Sequence, residues 1–423
     1  MALFLPGTET RAVFGFLIEE KGGRGRESFP RRVREVNDFV FENSTKAVFG
    51  KGQVKKSLPG LLKGAKRVLL ACGGGSIKKT GIYGEVTEAI REAGASWVDF
   101  GGIMPNPTLA KVREGAALAR KEGCDFILAV GGGSVMDCAK AVSLQARYEG
   151  DIWADFWMKA GAIDFEPLPL GIVVTVTGTG SEMNGGAVIT NEETKIKTGR
   201  DYPKLNARFA ILDPAYTLTV PMRQVRSGAF DSLSHMMEIY FSGPDDDSVS
   251  DSINEALQKN VIRNLRAALR DPSDLQARSN LAWDSTMAEN RVIKMGKRTD
   301  FECHMIEHQL GAYTDCNHGE GLAVIHPAYY RRILEAGQPK FARWATEVWG
   351  IAPEGKTETE LARAGVDALA AFIREAGLPT TLREIGITDR SVLKPAADST
   401  FLLAGGYRQL SHAEVLEILE EVF

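Results

Sequence analysis

Four of the six histidines lie in two short regions of the chain, and in the first of these regions a histidine is paired with an aspartate at helical spacing. Asp231 and His235 are four residues apart, as are His304 and His308, and His318 follows. A spacing of four places two side chains on one face of a helix, about one turn apart. One carboxylate and several imidazoles on facing helices can enclose a divalent metal with an open coordination position. These residues therefore form a candidate metal centre.

The remaining histidines and the nearby cysteines do not extend this set. We expect His326 and His412 to be ordinary core or surface residues. Cys303 and Cys316 are close enough to suggest thiolate ligands, but Cys303 points roughly 100° around a helix from His304. The five cysteines are odd in number and contain no CxxC pair. We expect buried free thiols in a reducing compartment.

Two matching glycine segments, Cys72–Ser76 and Val130–Ser134, each follow an apolar run and precede a helical pattern. Glycines let the backbone approach a ligand closely, and the N–H groups at a helix start attract phosphate. Ser134 is expected to cap its helix with Asp137 as partner. A single such loop is equally consistent with a tight turn. Two of them at the ends of parallel strands favour a nucleotide site, to which a third loop at residues 177–182 adds hydroxyls.

The pattern of these elements predicts the fold class. Before Asp213 short apolar runs alternate with amphipathic stretches, which is typical of βαβ units, whereas long helical periods follow Pro214. We expect an α/β N-terminal domain with a parallel, Rossmann-like sheet over residues 36–213 and an all-α C-terminal domain over residues 214–423. The predicted strands are Arg67–Ala71, Trp97–Phe100, Phe126–Val130, Gly171–Val176, Ala187–Thr190 and Phe209–Leu212. The predicted helices are 85–93, 108–121, 135–148, 222–241, 248–270, 274–297, 300–313, 319–335, 358–376 and 411–422.

The N-terminal region is unlike the rest of the chain. Residues 1–35 are polar, basic and glycine-containing, so we expect a disordered tail or a misassigned extension, with translation starting at Val36. The apolar runs Phe39–Phe41 and Thr45–Phe49 predict a strand pair without an obvious partner in its own chain. Such a pair could join a second copy across a two-fold axis, which predicts a homodimer.

The overall composition excludes several classes of partner. A net charge of -4 over 423 residues argues against a general nucleic-acid binder. No apolar run approaches the ~20 residues that a membrane span needs. The apolar start of the chain stops at Pro6, too early for a secretory signal. A cytoplasmic location is therefore expected.

With these motifs together, the sequence resembles the iron-containing alcohol dehydrogenase family, in its butanol-dehydrogenase-like branch. The resemblance covers about residues 37–423. The matching segments are Asn43–Gly52, Gly73–Gly81, Pro105–Pro107, Gly131–Lys140, Thr179–Glu182, Asp231 with His235, and His304–His318. It implies a dinucleotide in the cleft between the two halves and a small alcohol or aldehyde as substrate. Hydride would pass between nicotinamide C4 and the substrate carbon whose oxygen the metal polarises.

The family's functional residues can be carried over by position. The resemblance implies that Asp231, His235, His304 and His318 bind Fe(II) or Zn(II). His308 matches a further histidine near cofactor and substrate, and it is our candidate proton relay. The pyrophosphate would lie on Gly132, Gly133 and Ser134, while Thr175, Thr179 and Lys197 match positions facing the ribose and nicotinamide.

NADP(H) is the expected cofactor. NAD-specific dehydrogenases commonly place an acid where it binds the ribose 2′-hydroxyl and repels a 2′-phosphate. In NAD-using relatives an aspartate lies about where Gly74 falls, but residues 72–79 contain no acid and include Lys78 and Lys79. The predicted cofactor contacts are Gly73, Gly74, Gly75, Ser76, Lys79, Gly132, Gly133, Ser134, Asp137, Thr175, Thr179 and Lys197.

Three other functions remain open from the sequence. A glycerol-dehydrogenase-like enzyme would share the fold but usually lacks the long match at Gly73–Gly81. A dehydroquinate-synthase-like enzyme keeps a glutamate in its metal set, against which the pair of Asp231 and His235 argues. A non-catalytic nucleotide-binding regulator would not need four convergent ligands, so metal analysis separates it from an enzyme.

Overall fold

The computed structural model describes residues 37–243 and 248–423. The predictions for residues 1–35, a disordered tail or a misassigned extension, lie outside the described residues.

The centre of the N-terminal half is a six-stranded sheet in which all neighbouring strands are parallel, in the order β1-β8-β5-β4-β2-β3. A separate antiparallel hairpin consists of β6 and β7. The strands are β1 Lys46–Phe49, β2 Arg67–Cys72, β3 Ser96–Phe100, β4 Phe126–Gly131, β5 Leu170–Val174, β6 Gly186–Asn191, β7 Ile196–Asp201 and β8 Phe209–Leu212. The fold class is as predicted.

Fifteen α-helices are present among the described residues. They are α1 Gln53–Leu61, α2 Ser76–Lys79, α3 Ile82–Glu92, α4 Leu109–Lys121, α5 Gly133–Gln145, α6 Pro214–Thr217, α7 Met222–Tyr240, α8 Val249–Arg270, α9 Leu275–Glu289, α10 Glu302–Thr314, α11 His318–Ile333, α12 Gln338–Glu347, α13 Glu358–Glu375, α14 Leu393–Ser399 and α15 His412–Glu421. A helix is present at each of the seven places predicted after residue 214, one of them shorter than predicted, while α6, α12 and α14 were not predicted.

Helices cover both faces of the sheet, which explains its continuous apolar strands. Successive side chains of a strand point to opposite faces. Leu69 of β2 belongs to the core cluster formed with α4 and α5, whereas Leu70 belongs to the cluster formed with α1 and α3. Because both faces are buried, β2 and β4 read as apolar runs rather than as an alternating pattern.

Three local predictions were wrong. Phe39–Phe41 is not a strand, and β1 pairs in parallel with β8 of the same chain, so the argument from an unpartnered strand pair fails. The helical period predicted over 274–297 ends at Glu289, because Arg291 adopts a left-handed conformation with φ 77°.

Of the helices in the part of the chain that the structure describes, none combines the length and the apolar composition that a membrane span needs.

Candidate active site

The two glycine loops lie side by side at the carboxyl edge of the sheet. β2 and β4 are neighbours, with Cys72 opposite Val130, so the segments that follow them start from adjacent positions. β3 lies beyond β2 on one side, and β5 lies beyond β4 on the other. The direction of winding therefore reverses between β2 and β4. In open α/β sheets a ligand crevice forms at such a point.

The second glycine loop is packed closely against the loop that follows β5. A methyl group at Gly133 would collide with Thr179, and one at Gly132 would lie 3.1 Å from Val176 Cβ. The Thr175 backbone N–H also donates to the Gly131 carbonyl (2.9 Å). Residues predicted from separate motifs are thus brought together, and only glycine fits at Gly133 without rearrangement.

The predicted cap of α5 is wrong. The helix begins at Gly133, and its cap residue, Gly132, has no side chain that could make a capping hydrogen bond. Ser134 lies inside the first turn. Asp137 is buried and accepts instead from Ser181 Oγ (2.6 Å) and the Val188 N–H (2.9 Å). Tertiary partners have replaced the local capping interaction, and Asp137 supports the loop after β5.

Lys140 reinforces the same loop from one turn further along α5. Its buried ammonium donates to the carbonyls of Ser181 (2.6 Å) and Gly186 (2.7 Å) and to Asn184 Oδ1 (3.2 Å). Burial lowers the pKa of Lys140 to about 8. The loop after β5 is therefore fixed to α5, the helix that begins at the second glycine loop.

The loop after β5 also contacts the helical half. The Ser232 hydroxyl on α7 donates to the Gly178 carbonyl (2.9 Å). A Cβ at Gly178 would lie 2.8 Å from Gly228 Cα and 3.3 Å from Asp231 Oδ2. One loop thus touches both the start of α5 and α7, the helix that carries Asp231 and His235, so the candidate nucleotide loop and the candidate metal cluster are neighbours.

The four predicted metal ligands lie together, with three histidine rings around one oxygen of Asp231. Asp231 and His235 lie one turn apart on α7, His304 lies near the start of α10, and His318 begins α11. The nitrogens nearest to Asp231 Oδ1 are His318 Nε2 (3.5 Å), His304 Nε2 (3.6 Å) and His235 Nδ1 (3.6 Å). The tightest group is Asp231, His304 and His318, whose ligand atoms all lie within 4.8 Å of one another.

The hydrogen bonding of this cluster fits a metal. Asp231 Oδ1, His235 Nδ1 and His304 Nε2 are buried and have no hydrogen-bond partner among the described residues. Buried polar atoms are nearly always paired, so three unpaired atoms in one cluster indicate a missing common partner. A carboxylate oxygen and imidazole nitrogens suit Fe(II) or Zn(II).

Burial and mutual charge set the ionisation of the cluster. Burial raises the pKa of Asp231, but His235 and His318 outweigh it and hold that pKa well below its usual value. Burial lowers the pKa of His235 to about 4. For His304 burial is also unfavourable to the cation, yet Glu238 and Asp231 raise its pKa to about 10. The two carboxylates thus favour positive charge at His304, whereas burial disfavours it at His235.

Two further carboxylates contact the ligands and were missed in the sequence. The Glu238 carboxylate accepts hydrogen bonds from His304 Nδ1 and from the Cys303 N–H (2.7 Å). The Glu307 carboxylate accepts a hydrogen bond from His318 Nδ1. A carboxylate on the far nitrogen of a metal-binding histidine orients the ring and raises its basicity. The spacing of Glu238 from Asp231, two turns along α7, was a signal that could have found it.

His308, the candidate proton relay, lies beside the cluster. Its ring centroid is 5.6 Å from that of His318 and 6.0 Å from that of His304. Burial, and then Lys197, lower its pKa well below the usual value, so the imidazole is neutral. His308 Nδ1 is buried without a hydrogen-bond partner among the described residues.

The histidines and thiols set aside in the sequence have ordinary partners. His326 Nε2 lies 2.6 Å from Ser234 Oγ, and His412 Nε2 lies 3.0 Å from the Thr400 carbonyl. All five cysteines are buried free thiols, as predicted. Neither Cys303 nor Cys316 belongs to a candidate metal group.

The first glycine loop is open to solvent. Gly74, Ser76 and Lys79 are exposed, Gly73 is half-buried, and Gly75 has the left-handed φ of 106° that starts α2. The Lys78 ammonium is not free to interact with this loop only, because it lies 3.4 Å from Asp99 Oδ2 on β3. The loop itself has no acid, but the neighbouring strand supplies one nearby.

Comparison with known proteins identifies the family. The family described as iron-containing alcohol dehydrogenase matches residues 44–214, and its C-terminal counterpart matches residues 225–423. The chain therefore belongs to the iron-containing alcohol dehydrogenase family, which is the family that the motifs predicted.

Individual relatives agree in fold and differ in cofactor. A probable NADH-dependent butanol dehydrogenase 1 of Bacillus subtilis is 38% identical, over 91% of this chain and 99% of its own. The NADPH-dependent aldehyde reductase YqhD of Escherichia coli is 34% identical, over 84% of this chain and 91% of its own. The crystal structure of an NADH-dependent butanol dehydrogenase A from Thermotoga maritima superposes with a TM-score of 0.86 at 37% identity. The match covers 92% of this chain and 99% of that protein's chain.

Proposed function

We propose that this protein is an NADP(H)-dependent alcohol dehydrogenase or aldehyde reductase that requires iron or zinc and acts on small aldehydes and primary alcohols. The observation that carries the proposal is the convergence of unpaired, buried ligand atoms around Asp231. That cluster is joined by one loop to the glycine segment at the reversal of the sheet. Family membership supports the same chemistry.

In the proposed reaction, the residues of the site have separate roles in binding the metal and in exchanging the substrate proton. When bound, the metal would polarise the substrate oxygen and the nicotinamide would supply or accept the hydride. Asp231, His235, His304 and His318 would hold the metal from three helices. His308, neutral and buried beside them, would exchange the substrate proton through Nδ1.

The dinucleotide would lie along the carboxyl edge of the sheet. Gly132, Gly133 and Ser134, at the cap and first turn of α5, would receive the pyrophosphate, since the N-terminus of a helix attracts anions. Thr179 lies against Gly133, so it would face the same ligand. Lys197 lies near α10, on the metal side of the cleft.

The choice of NADPH rests on the first glycine loop. A 2′-phosphate there would meet no acid within residues 73–79, and the exposed Lys79 could attract it. Because Lys78 is paired with Asp99, its contribution should be smaller than the sequence suggested. The relatives include both NADH-dependent and NADPH-dependent enzymes. We therefore expect a clear but incomplete preference for NADPH.

A homodimer is also proposed, now on different grounds. β1 is the edge strand of the sheet, and an exposed edge is a template for pairing with another chain. Beside it, Phe39, Val40 and Phe41 are exposed, and the half-exposed ring of Phe49 contacts Trp283. Light scattering at micromolar concentration should give twice the mass of one chain. A monomer mass would contradict the proposal.

The activity is tested by anaerobic purification, metal analysis and a panel of small aldehydes with NADPH and NADH. We expect NADPH oxidation that depends on both aldehyde and bound metal. Absence of turnover with any aldehyde or alcohol, in protein that carries one metal per chain, would contradict the proposed activity.

A further inference from the structure

His318 differs from the other three metal candidates in how the fold holds it. Asp231, His235 and His304 lie within helices, whereas His318 is the first residue of α11. Its side chain is 25% exposed, against 5% for His304. The turn before it includes Asp315, whose φ is 53°. A residue at a helix start is restrained by the helix on one side only, so its ring needs a separate support.

Glu307 supplies that support from α10. The side chain is completely buried, and Oε2 accepts from both His318 Nδ1 and the Lys197 ammonium. The other oxygen, Oε1, lies 3.8 Å from the Cys316 thiol. With Nδ1 of His318 occupied, the remaining ring nitrogen, Nε2, is the one that lies 3.5 Å from Asp231 Oδ1.

Lys197 reaches Glu307 from the other half of the molecule. It lies on β7, and its ammonium is 3.1 Å from Glu307 Oε2 with both side chains buried. Its backbone carbonyl accepts from the Gln309 side chain of α10 (2.8 Å). A Cβ at Gly311 would lie 3.2 Å from Lys197 Nζ, so the absence of a side chain there leaves room for the ammonium.

We propose that Glu307 is a positioning residue for His318, and that Lys197 secures Glu307 from the α/β half. Glu307 fixes the ring so that Nε2 faces Asp231, which makes metal retention depend on an ion pair between the two halves. The inference rests on the proposed function only in assuming a metal at the Asp231 cluster.

The test measures Co(II) affinity by competition with a chelator, without turnover. Glu307→Gln keeps the shape and removes the charge, so we expect Co(II) to bind roughly 10- to 100-fold more weakly, as for other residues that support metal ligands. Lys197→Met should weaken binding in the same direction. The double variant should bind about as well as Glu307→Gln, because both changes act through one carboxylate.

Glu320→Gln is the matched control. Glu320 lies on α11, as His318 does, and its carboxylate is buried, but it pairs with Arg223 rather than with a ligand. The Glu320→Gln variant should bind Co(II) with the same affinity as the wild type. The visible spectrum of bound Co(II) should shift in Glu307→Gln and not in Glu320→Gln.

Two results would overturn the inference. One is wild-type Co(II) affinity in Glu307→Gln, and the other is an equal loss in Glu320→Gln. If circular dichroism shows that Glu307→Gln does not fold, Lys197→Met decides, and wild-type affinity in that variant refutes the proposal. A wild-type protein that binds Co(II) tightly but reduces no aldehyde would remove the proposed activity and leave this inference intact.

Discussion

Replacing Gly74 with aspartate is expected to shift the cofactor preference from NADPH toward NADH. Gly74 is exposed, its backbone is outside the left-handed region, and a Cβ there would meet no atom within 4 Å. The aspartate should therefore fit without strain, and its effect should be electrostatic. It would repel a 2′-phosphate and could accept a hydrogen bond from a 2′-hydroxyl.

The size of the shift follows from the exposure of the loop. Two unit charges about 6 Å apart repel by about 0.7–3 kcal/mol for effective dielectric constants between ~80 and ~20. Because Gly74 is exposed, the lower part of this range applies. With ~1.4 kcal/mol for each factor of ten, the ratio of kcat/KM for NADPH over NADH should fall about tenfold. The shift should shrink as salt is added.

The assay is kcat/KM for each cofactor with one aldehyde, for wild type and Gly74→Asp. Gly60→Asp is the control, since Gly60 lies on α1 and is also exposed with no atom within 4 Å of its Cβ position. That variant adds the same charge and should leave the ratio unchanged. An unchanged ratio in Gly74→Asp would place the 2′-phosphate in another loop. Equal or better use of NADH by the wild type would refute the NADPH proposal.

The remaining predictions concern the cofactor loop, its support and the proposed dimer. Gly133→Ala should raise the KM for the nucleotide about tenfold or more, because the methyl group collides with Thr179; steady-state kinetics measure this, and an unchanged KM would contradict it. Lys140→Met should lower the free energy of unfolding by about 2–4 kcal/mol, since it leaves buried acceptors such as the Ser181 carbonyl unpaired; denaturant titration measures this, and wild-type stability would contradict it. Val40→Asp should give monomers without destabilising the chain, because Val40 is 93% exposed; a dimer mass in light scattering would count against the proposed face.

Much of the fold could be predicted from the sequence because the local hydrophobic pattern agrees with the burial seen in the tertiary structure. The apolar runs of β2 and β4 and the long amphipathic periods of α7 and α13 each reflect burial on known faces. The four metal candidates could be selected from the sequence for a related reason. Side chains four residues apart lie on one face of a helix, as Asp231 and His235 do on α7, and α11 begins at His318 itself.

The features that were missed depend on partners far away in the chain. β7 contains the polar residues Lys197, Thr198 and Arg200. The Lys197 side chain is buried there because its ammonium pairs with Glu307, which lies 110 residues away. The capping interaction expected between Ser134 and Asp137 is absent, because the Asp137 carboxylate accepts from Ser181 and Val188 instead. No local rule contains either partner, so spacing alone could not predict these contacts.

The central claim is that turnover requires a metal at the Asp231 cluster, and removing and restoring the metal tests it most directly. Protein stripped by a chelator should lose aldehyde reduction by more than about a hundredfold and regain it with Fe(II) or Zn(II). His304→Ala should fold but should not recover with added metal, because it lacks one of the three most closely grouped ligands. Full activity in verified metal-free protein would contradict the account.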